Sequence, residues 1–286
     1  MIPLIIAIIS LSWLLTASII DLKTREIPDW LTYSLAILSL SSYTYLAIEQ
    51  KNISVLLISL SSGFLFGILA FLLYYTRQWG GGDVKLFIAL GFSSAIYPSE
   101  LLNYFSPNIN LYFPLIILTN LVIAAMLYSL AALTFLIIKN NRCFLQEFKK
   151  HKSSKIKLIC IILAITIFAL SFSLRNPSAM YSIILAILIL IFPYLLLSTR
   201  IIEKIAMTKA IPLEKAVGEW LAEDIIINNK LILSKKTPEI RYEDIKKLKR
   251  YSISSIKIKI GIPFAPTFLL ALILSLLFGN LLFTLF

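Results

Sequence analysis

Long stretches without a single charged residue are the feature that most restricts how this chain can fold. They include residues 1–20, 30–48, 53–76, 101–138 and 158–174. A helix needs about 20 apolar residues to cross a hydrocarbon core roughly 30 Å thick, and a segment in lipid must satisfy its own backbone hydrogen bonds. Since 59% of the residues are hydrophobic, against about 45–50% in soluble domains, we predict an all-α polytopic membrane protein.

Eight transmembrane helices fit the pattern, at residues 2–20, 30–48, 53–75, 84–104, 112–138, 157–174, 179–199 and 263–286. Alternate loops between them differ in charge, because the loops 21–29, 76–85, 139–157 and 200–260 hold all but two of the 27 Lys and Arg residues. Cytoplasmic loops are rich in Lys and Arg. We therefore expect a multi-pass protein of the plasma membrane with its N-terminus outside and these four loops inside.

The distribution of charge argues against nucleic-acid binding, and the small number of His and Cys residues argues against a metal site. The net charge of +12 is explained by topology and by attraction to anionic lipid headgroups, so we predict no nucleic acid partner. His151 is the only histidine, and Cys143 and Cys160 are the only cysteines. They form neither a CxxC pair nor a ligand set for zinc. No metal site is predicted.

The pattern divides the chain into four segments. They are a membrane core at 1–138 with the candidate site, a basic loop and helical hairpin at 139–199 turning at residues 175–177, a cytoplasmic domain at 200–260, and a last transmembrane helix at 261–286. In the cytoplasmic domain, Ile225–Ile227 and Leu231–Leu233 flank an Asn-Asn turn and predict two short strands. Glu243–Tyr251 predicts a basic helix. A small α+β or irregular domain is expected, with a solvated connector as the alternative.

Two aspartates are placed where they could meet. Asp21 ends the first predicted span and Asp83 begins the fourth. Two crossings separate them, and an even number returns the chain to the same face, here the cytoplasmic boundary. Ionisable residues at such positions are functional candidates. Two adjacent carboxylates keep one proton between them, so that the ionised one can accept a proton from water while the other polarises a peptide carbonyl.

Each aspartate also has a purely structural interpretation. Asp83 follows a glycine run where a helix N-cap is expected, and Asp is favoured at N-caps. Lys23 and Arg25 could neutralise Asp21, although a negative charge near a helix C-terminus is unfavourable.

The glycine run before Asp83 supports a site for an extended peptide. Gly80, Gly81 and Gly82 permit positive φ angles and close approach of another backbone, although glycines are also common in ordinary turns. Lys85 could contact a substrate or anchor the helix at the interface.

The chain resembles the type IV prepilin peptidases, and their archaeal branch with the preflagellin peptidases in particular. The resemblance is carried by Asp21 followed by Arg25, Ile27 and Pro28, by the GxGD motif read as Gly80, Gly82 and Asp83 with Val84 and Lys85 after it, and by a Pro-rich segment, Gly261-Ile262-Pro263-Phe264-Ala265-Pro266. The resemblance covers residues 10–100 well and the last 25 residues fairly, and it covers the middle of the chain poorly.

The resemblance implies an aspartyl endopeptidase without cofactor. Such an enzyme cuts the short basic leader from prepilin-like or preflagellin precursors at the cytoplasmic face, with Asp21 and Asp83 as the catalytic pair. Gly80 and Gly82 would shape the loop, and Arg25, Pro28, Lys85, Pro263 and Pro266 would shape or contact the substrate site. Glu26 and Asp29 are candidates for attracting the basic leader. The cysteine-rich insertion of the bifunctional members is absent, so no methyltransferase activity is expected.

Two other functions remain as alternatives. Signal-peptide-peptidase-like proteases also use GxGD, but their first aspartate follows a tyrosine, whereas Asp21 follows Ile20. A proton- or cation-coupled transporter could use Asp21 and Asp83, but such sites usually lie at the bilayer midplane in repeated halves.

Overall fold

The computed structural model describes residues 1–76, 78–150, 161–163, 165–166, 179–227, 230–234, 240–251 and 253–285. Its α-helices are α1 Ile2–Thr24, α2 Asp29–Glu49, α3 Ser54–Tyr75, α4 Gly81–Ser93, α5 Phe113–Lys139, α6 Asn141–Lys150, α7 Ala179–Ala206, α8 Tyr242–Arg250, α9 Ala265–Phe278 and α10 Leu281–Leu285. The chain divides into two units. Unit 1 comprises Met1–Ser129 with Gly261–Phe286, and unit 2 comprises Leu130–Ile260, so that the division falls within α5.

Four of the described helices are long and apolar enough to cross a membrane: α1, α2, α3 and α5. The chain is therefore mainly helical with several candidate spans, and the described residues do not show the predicted eight. The predicted span 157–174 lies mostly outside the described residues, as does the hairpin turn at 175–177. Helix α7 covers the predicted span 179–199 and extends it to Ala206.

The fourth predicted span, 84–104, is wrong as one continuous helix. Helix α4 ends at Ser93, and a 3₁₀ helix follows only at Ser99–Asn103. The carbonyls that a helix leaves free at its C-terminus need other donors. Here the hydroxyls of Ser62, Ser59 and Tyr43 donate to the carbonyls of Gly91, Phe92 and Ser93 at 2.7, 2.8 and 3.1 Å. Side chains of α2 and α3 thus stabilise the end of a short helix inside the bundle.

Residues 83–100 nevertheless extend between the two ends of α1. Asp21 lies in the last turn of α1, and its charge acts on the carboxyl of Asp83, so the two groups lie near each other. Glu100 forms an ion pair with the amino group of Met1, at its start. The short α4 and the residues after it therefore run antiparallel to α1 over its whole length.

The last predicted span, 263–286, is interrupted. Gly279 has a φ of 68° between α9 and α10, and a Cβ at this position would lie 2.4 Å from the backbone oxygen of Asn108. The buried Asn120 of α5 occupies the break. Its Nδ2 donates to the carbonyl of Gly279 at 2.7 Å, and its Oδ1 accepts the N–H of Leu281 at 3.2 Å. These bonds satisfy backbone groups that the break leaves unpaired.

Unit 2 contains a small sheet region, as expected for residues 200–260. Strands β1 Thr208–Pro212, β5 Ser255–Lys259 and β2 Trp220–Leu221 form an antiparallel sheet in the order β1-β5-β2. Strands β3 Ile225–Ile227 and β4 Lys230–Leu233 pair separately, which confirms the two predicted strands; the turn residues 228–229 lie outside the described residues. Helix α8 confirms the predicted basic helix. Leu213, Leu221, Leu248, Ile256 and Ile258 belong to one buried cluster of this unit. The four-segment division stays a prediction.

Candidate active site

Asp21 is a buried carboxylate in the last turn of α1, with only 5% of its surface exposed. Its Oδ2 accepts the backbone N–H of Ala265, the first residue of α9, at 3.0 Å. The backbone N–H of Phe264 also interacts with this carboxylate. A negative charge at the C-terminus of α1 is unfavourable, and the N-terminus of α9 supplies the compensating donors.

Asp83 is the third residue of α4 and is partly buried. The N-cap of α4 is Gly80, and Asp83 reaches back so that its Oδ2 accepts the Gly80 N–H at 3.2 Å. Asp83 precedes the apolar part of α4 and lies outside the four candidate spans. Burial raises the pKa of Asp83 to about 7, the negative charge of Asp21 adds to the rise, and the Gly80 hydrogen bond opposes it. Asp83 therefore carries a proton at neutral pH or just below it.

The glycine run owes its importance to close packing and not to unusual backbone angles. Gly80, Gly81 and Gly82 all lack positive φ angles. A Cβ on Gly82 would lie 3.2 Å from the Cβ of Ile27, in the α1–α2 loop, whereas a Cβ on Gly81 would meet nothing within 4 Å. This difference fits a motif, GxGD, in which the second position is free.

The α1–α2 loop holds the other residues that the sequence singled out in this region. Arg25 ends α1 in the left-handed region, with φ 61°, and its N–H donates to the carbonyl of Asp21 at 2.8 Å. Pro28 is the N-cap of α2. Lys85 forms an ion pair of 2.6 Å with Asp29, and its ammonium lies 5.8 Å from the ring centre of Tyr33. The loop is thus fixed to α4 on both sides of Asp83.

An aromatic cluster next to the glycine run was missed by the sequence analysis. The ring of Trp79 lies 4.9 Å from that of Phe87 and 5.3 Å from those of Phe264 and Phe268. Trp79 is 7% exposed. The cluster joins the residue before the glycines to the first turn of α9, where the donors to Asp21 lie. A tryptophan followed by a GGGD motif was the available signal.

The Pro-rich segment reaches the site through its backbone. Pro266 is the second residue of α9, and Pro263 precedes the helix by two residues. Neither has an N–H to donate, so the free donors at the start of α9 come from the residues between and around them. The structure thus brings Asp21, Asp83 and the start of α9 together, and it places Lys85 on the neighbouring surface with Asp29.

The described residues contain no cluster of metal-binding side chains. Among the described residues, no group of three or more His, Cys, Asp or Glu side chains could hold a metal ion. Cys143 is exposed, and His151 and Cys160 lie outside the described residues. Asp21 and Asp83 are carboxyls that can accept and donate protons, and the pKa of Asp83 is raised to about 7 by burial and by the charge of Asp21.

Comparison with known proteins finds a related family over the part of the chain that carries the two aspartates. A preflagellin peptidase from Methanococcus voltae is 33% identical over 122 residues, which are 40% of this chain and 51% of that protein. Residues 8–138 match the type IV leader peptidase family. This match covers 131 of the 286 residues, a little under half of the chain. No solved structure matches the chain.

The leader peptidase match has a defined extent. Asp21 and Asp83 lie inside it, whereas the start of α9 and all but the first residues of unit 2 lie beyond it. The chain spans about half the length of the curated relative.

Proposed function

We propose that the protein is an aspartyl endopeptidase that removes the short basic leader of prepilin-like or preflagellin precursors. The observation that carries the proposal is the juxtaposition of two acids from distant parts of the sequence. Burial raises the pKa of Asp83 to about 7, and the negative charge of the nearby Asp21 adds to the rise. The match of residues 8–138 to the leader peptidase family favours peptide hydrolysis over ion transport as the use of this pair.

The reaction follows from one proton held between the two carboxylates. The ionised aspartate accepts a proton from a water molecule, and the resulting hydroxide attacks the scissile carbonyl carbon. The protonated aspartate donates its proton to the carbonyl oxygen, which gives a tetrahedral diol. Collapse of the diol breaks the C–N bond, and the first aspartate passes its proton to the leaving amine. The second recovers a proton from the diol hydroxyl, so the pair returns to its initial state.

The glycine run supports binding of an extended peptide. A side chain on Gly80 would begin 3.7 Å from the Asp83 Oδ2, so glycine keeps this space free, and Gly82 allows the loop to pack against Ile27. We assign Arg25, Pro28, Pro263 and Pro266 to shaping the surrounding loops.

The charges on the neighbouring surface favour a basic leader. Glu26 and Asp29 are exposed, and Asp29 holds Lys85 in an exposed ion pair. A basic residue of the leader could take the place of Lys85 beside Asp29, which leaves Lys85 free to contact a carbonyl of the substrate.

We further propose that the site opens at the cytoplasmic face of the plasma membrane, with the lipid bilayer around the spans and the N-terminus outside. The distribution of Lys and Arg supports this orientation, since the loops 21–29 and 76–85 carry basic residues and the two aspartates lie at their ends.

The test is to incubate the purified protein in detergent with precursors that carry basic leaders before a hydrophobic helix, and to map the products by mass spectrometry. We expect a single cut between leader and helix. The matched control is a precursor whose leader lysines and arginines are replaced by glutamine, which should be cut more slowly. Intact precursors after incubation with folded protein would refute the proposal.

A further inference from the structure

The two acids of the site have different hydrogen-bond partners. Asp21 accepts the N–H of Ala265, the first residue of a helix, and it also interacts with the N–H of Phe264. Asp83 accepts one N–H, from Gly80, at the longer distance of 3.2 Å. The donors to Asp21 therefore exceed those to Asp83 in number and include the end of a 14-residue helix.

Free N–H groups at a helix N-terminus stabilise a negative charge. Hydrogen bonds donated to a carboxylate favour its ionised form, and they are stronger than bonds between neutral groups. Ala265 is fully buried and Asp21 is 5% exposed, so this bond lies in a largely desolvated position, where a hydrogen bond is stronger than in water. The ionised form of Asp21 accepts the Ala265 N–H more strongly than a neutral carboxyl would, so this contact favours the ionised form.

The sequence of the α9 start fits this role. Pro266 at the second position has no N–H, and Thr267 donates its N–H back to the carbonyl of Phe264 at 2.9 Å. The N–H groups of Phe264 and Ala265 are the remaining donors, and both act on Asp21. Each of these N–H groups at the start of α9 thus has an acceptor, and the two that are free of the helix both act on the Asp21 carboxylate.

We propose that the first N–H groups of α9 hold Asp21 as the ionised base of the reaction, so that Asp83 carries the shared proton and acts as the acid. Ala265 is then a positioning residue that acts through its backbone. This inference rests on the proposed function, since it divides the catalytic roles between the two aspartates. It also gives the Pro-rich segment, which lies outside the family match, a part in the chemistry.

The decisive change removes one N–H and leaves every side chain around Asp21 in place. Ala265→Pro does so at the first helical position, where proline is well accepted. Ala265→Gly is the matched control, because it keeps the N–H. The titratable groups that act on Asp21 are Arg25 from α1, Asp83 from α4 and Tyr128 from α5, and both variants retain all of them.

The readout is the pH dependence of leader cleavage, measured as kcat and KM separately. Without the N–H, a higher pH is needed to ionise Asp21. We expect the acid limb of the kcat profile to move up by about one to two pH units in Ala265→Pro, with a fall in kcat and little change in KM. The acid limb of Ala265→Gly should stay at the wild-type pH.

A second variant guards against misfolding, because a proline at 265 disfavours the helical angles of Phe264. Replacement of Ala265 by lactic acid through nonsense suppression turns the amide into an ester, which removes the same N–H and keeps the side chain. The acid limb should move in the same direction.

An acid limb that stays in place in a folded Ala265→Pro or ester variant that still cleaves would overturn the inference and leave the proposed function intact. Absence of cleavage by the wild-type protein would instead refute the proposed function.

Discussion

At the scale of single residues, the environment of each acid sets what it can do. Asp21 is buried against the backbone of α9. Asp83 is partly buried, with a single backbone donor and a neighbouring negative charge, and its pKa is raised to about 7. A carboxyl with such a pKa is about half protonated at neutral pH, whereas an ordinary aspartate is ionised there. The pair can therefore supply an acid and a base at the same pH.

The raised pKa predicts the alkaline side of the pH profile. Below a pH of about 7 Asp83 is protonated and can donate to the scissile carbonyl oxygen; above it, Asp83 ionises and the acid is lost. Cleavage should therefore fall as the pH rises through about 7. The measurement is kcat/KM for a leader peptide in buffers on both sides of that pH, with the melting temperature recorded in each buffer. Constant kcat/KM well above pH 7 would contradict this assignment.

The glycines before Asp83 allow a matched pair of substitutions. Gly82→Ala adds a Cβ 3.2 Å from the Cβ of Ile27 and should displace Asp83 by a few tenths of an ångström. We expect cleavage to fall about 10-fold or more, since catalysis is sensitive to small displacements. Gly81→Ala adds a Cβ in open space and should cleave at close to the wild-type rate. Equal rates for the two variants, with both folded, would argue against the packing role of Gly82.

At the scale of helices, small residues and hydroxyls hold the short α4 in place. Gly91 of α4 contacts α3 so closely that an added Cβ would lie 2.7 Å from the Cβ of Phe66 and 3.1 Å from the Cα of Gly63. The hydroxyls of Ser59 and Ser62, in α3, donate hydrogen bonds to the last carbonyls of α4. Packing of small residues is the usual basis of helix association in lipid, and here it fixes the helix that bears Asp83.

The α3–α4 contact predicts a stability difference between two glycines. Gly91→Ala must push α3 and α4 apart, and we expect a loss of about 1–3 kcal/mol. Gly67→Ala in the same pair of helices adds a Cβ 3.9 Å from Ile88, an ordinary contact, and should be neutral or slightly stabilising because Ala favours helices. Thermal unfolding in detergent compares them. A lower melting temperature for Gly67→Ala than for Gly91→Ala would contradict the packing.

The sequence predicted those parts of the fold that have a local sequence signal, and it did not predict those that depend on contacts between distant residues. Charge-free runs predicted α1, α2, α3 and α5, and parity of the crossings predicted that Asp21 and Asp83 lie at one end. The end of α4 depends on hydroxyls of other helices, and the break at Gly279 depends on Asn108 and Asn120. The donor to Asp21 is a backbone N–H. Such groups leave no side-chain pattern, so sequence reasoning could not find them.

At the scale of the whole molecule, the account depends on orientation in the membrane. The loops that flank Asp21 and Asp83 are basic, whereas the 49–52 turn on the other side carries only Lys51 as a cation. The positive-inside rule then predicts an outer N-terminus and an inner site. A basic leader emerging from the ribosome would meet the aspartates on that side.

Cysteine labelling tests this orientation in intact cells. In a background with Cys143→Ser and Cys160→Ser, Lys51→Cys should react with a membrane-impermeant maleimide, since it lies in the outer turn. Glu26→Cys, which replaces an exposed residue in the loop between α1 and α2, should react only after permeabilisation. The reverse pattern would place the site outside the cell and exclude cytoplasmic cleavage.

The most direct test of the central claim is cleavage by the variants Asp21→Asn and Asp83→Asn, each purified and shown to keep the wild-type melting temperature. Loss of one member of an acid–base pair typically costs about 10²–10⁴-fold in rate. We predict that each single variant loses at least about 100-fold in leader cleavage and that the double variant is no worse than the poorer single one, because the two acids act as a unit. Wild-type cleavage by either folded single variant would contradict the account.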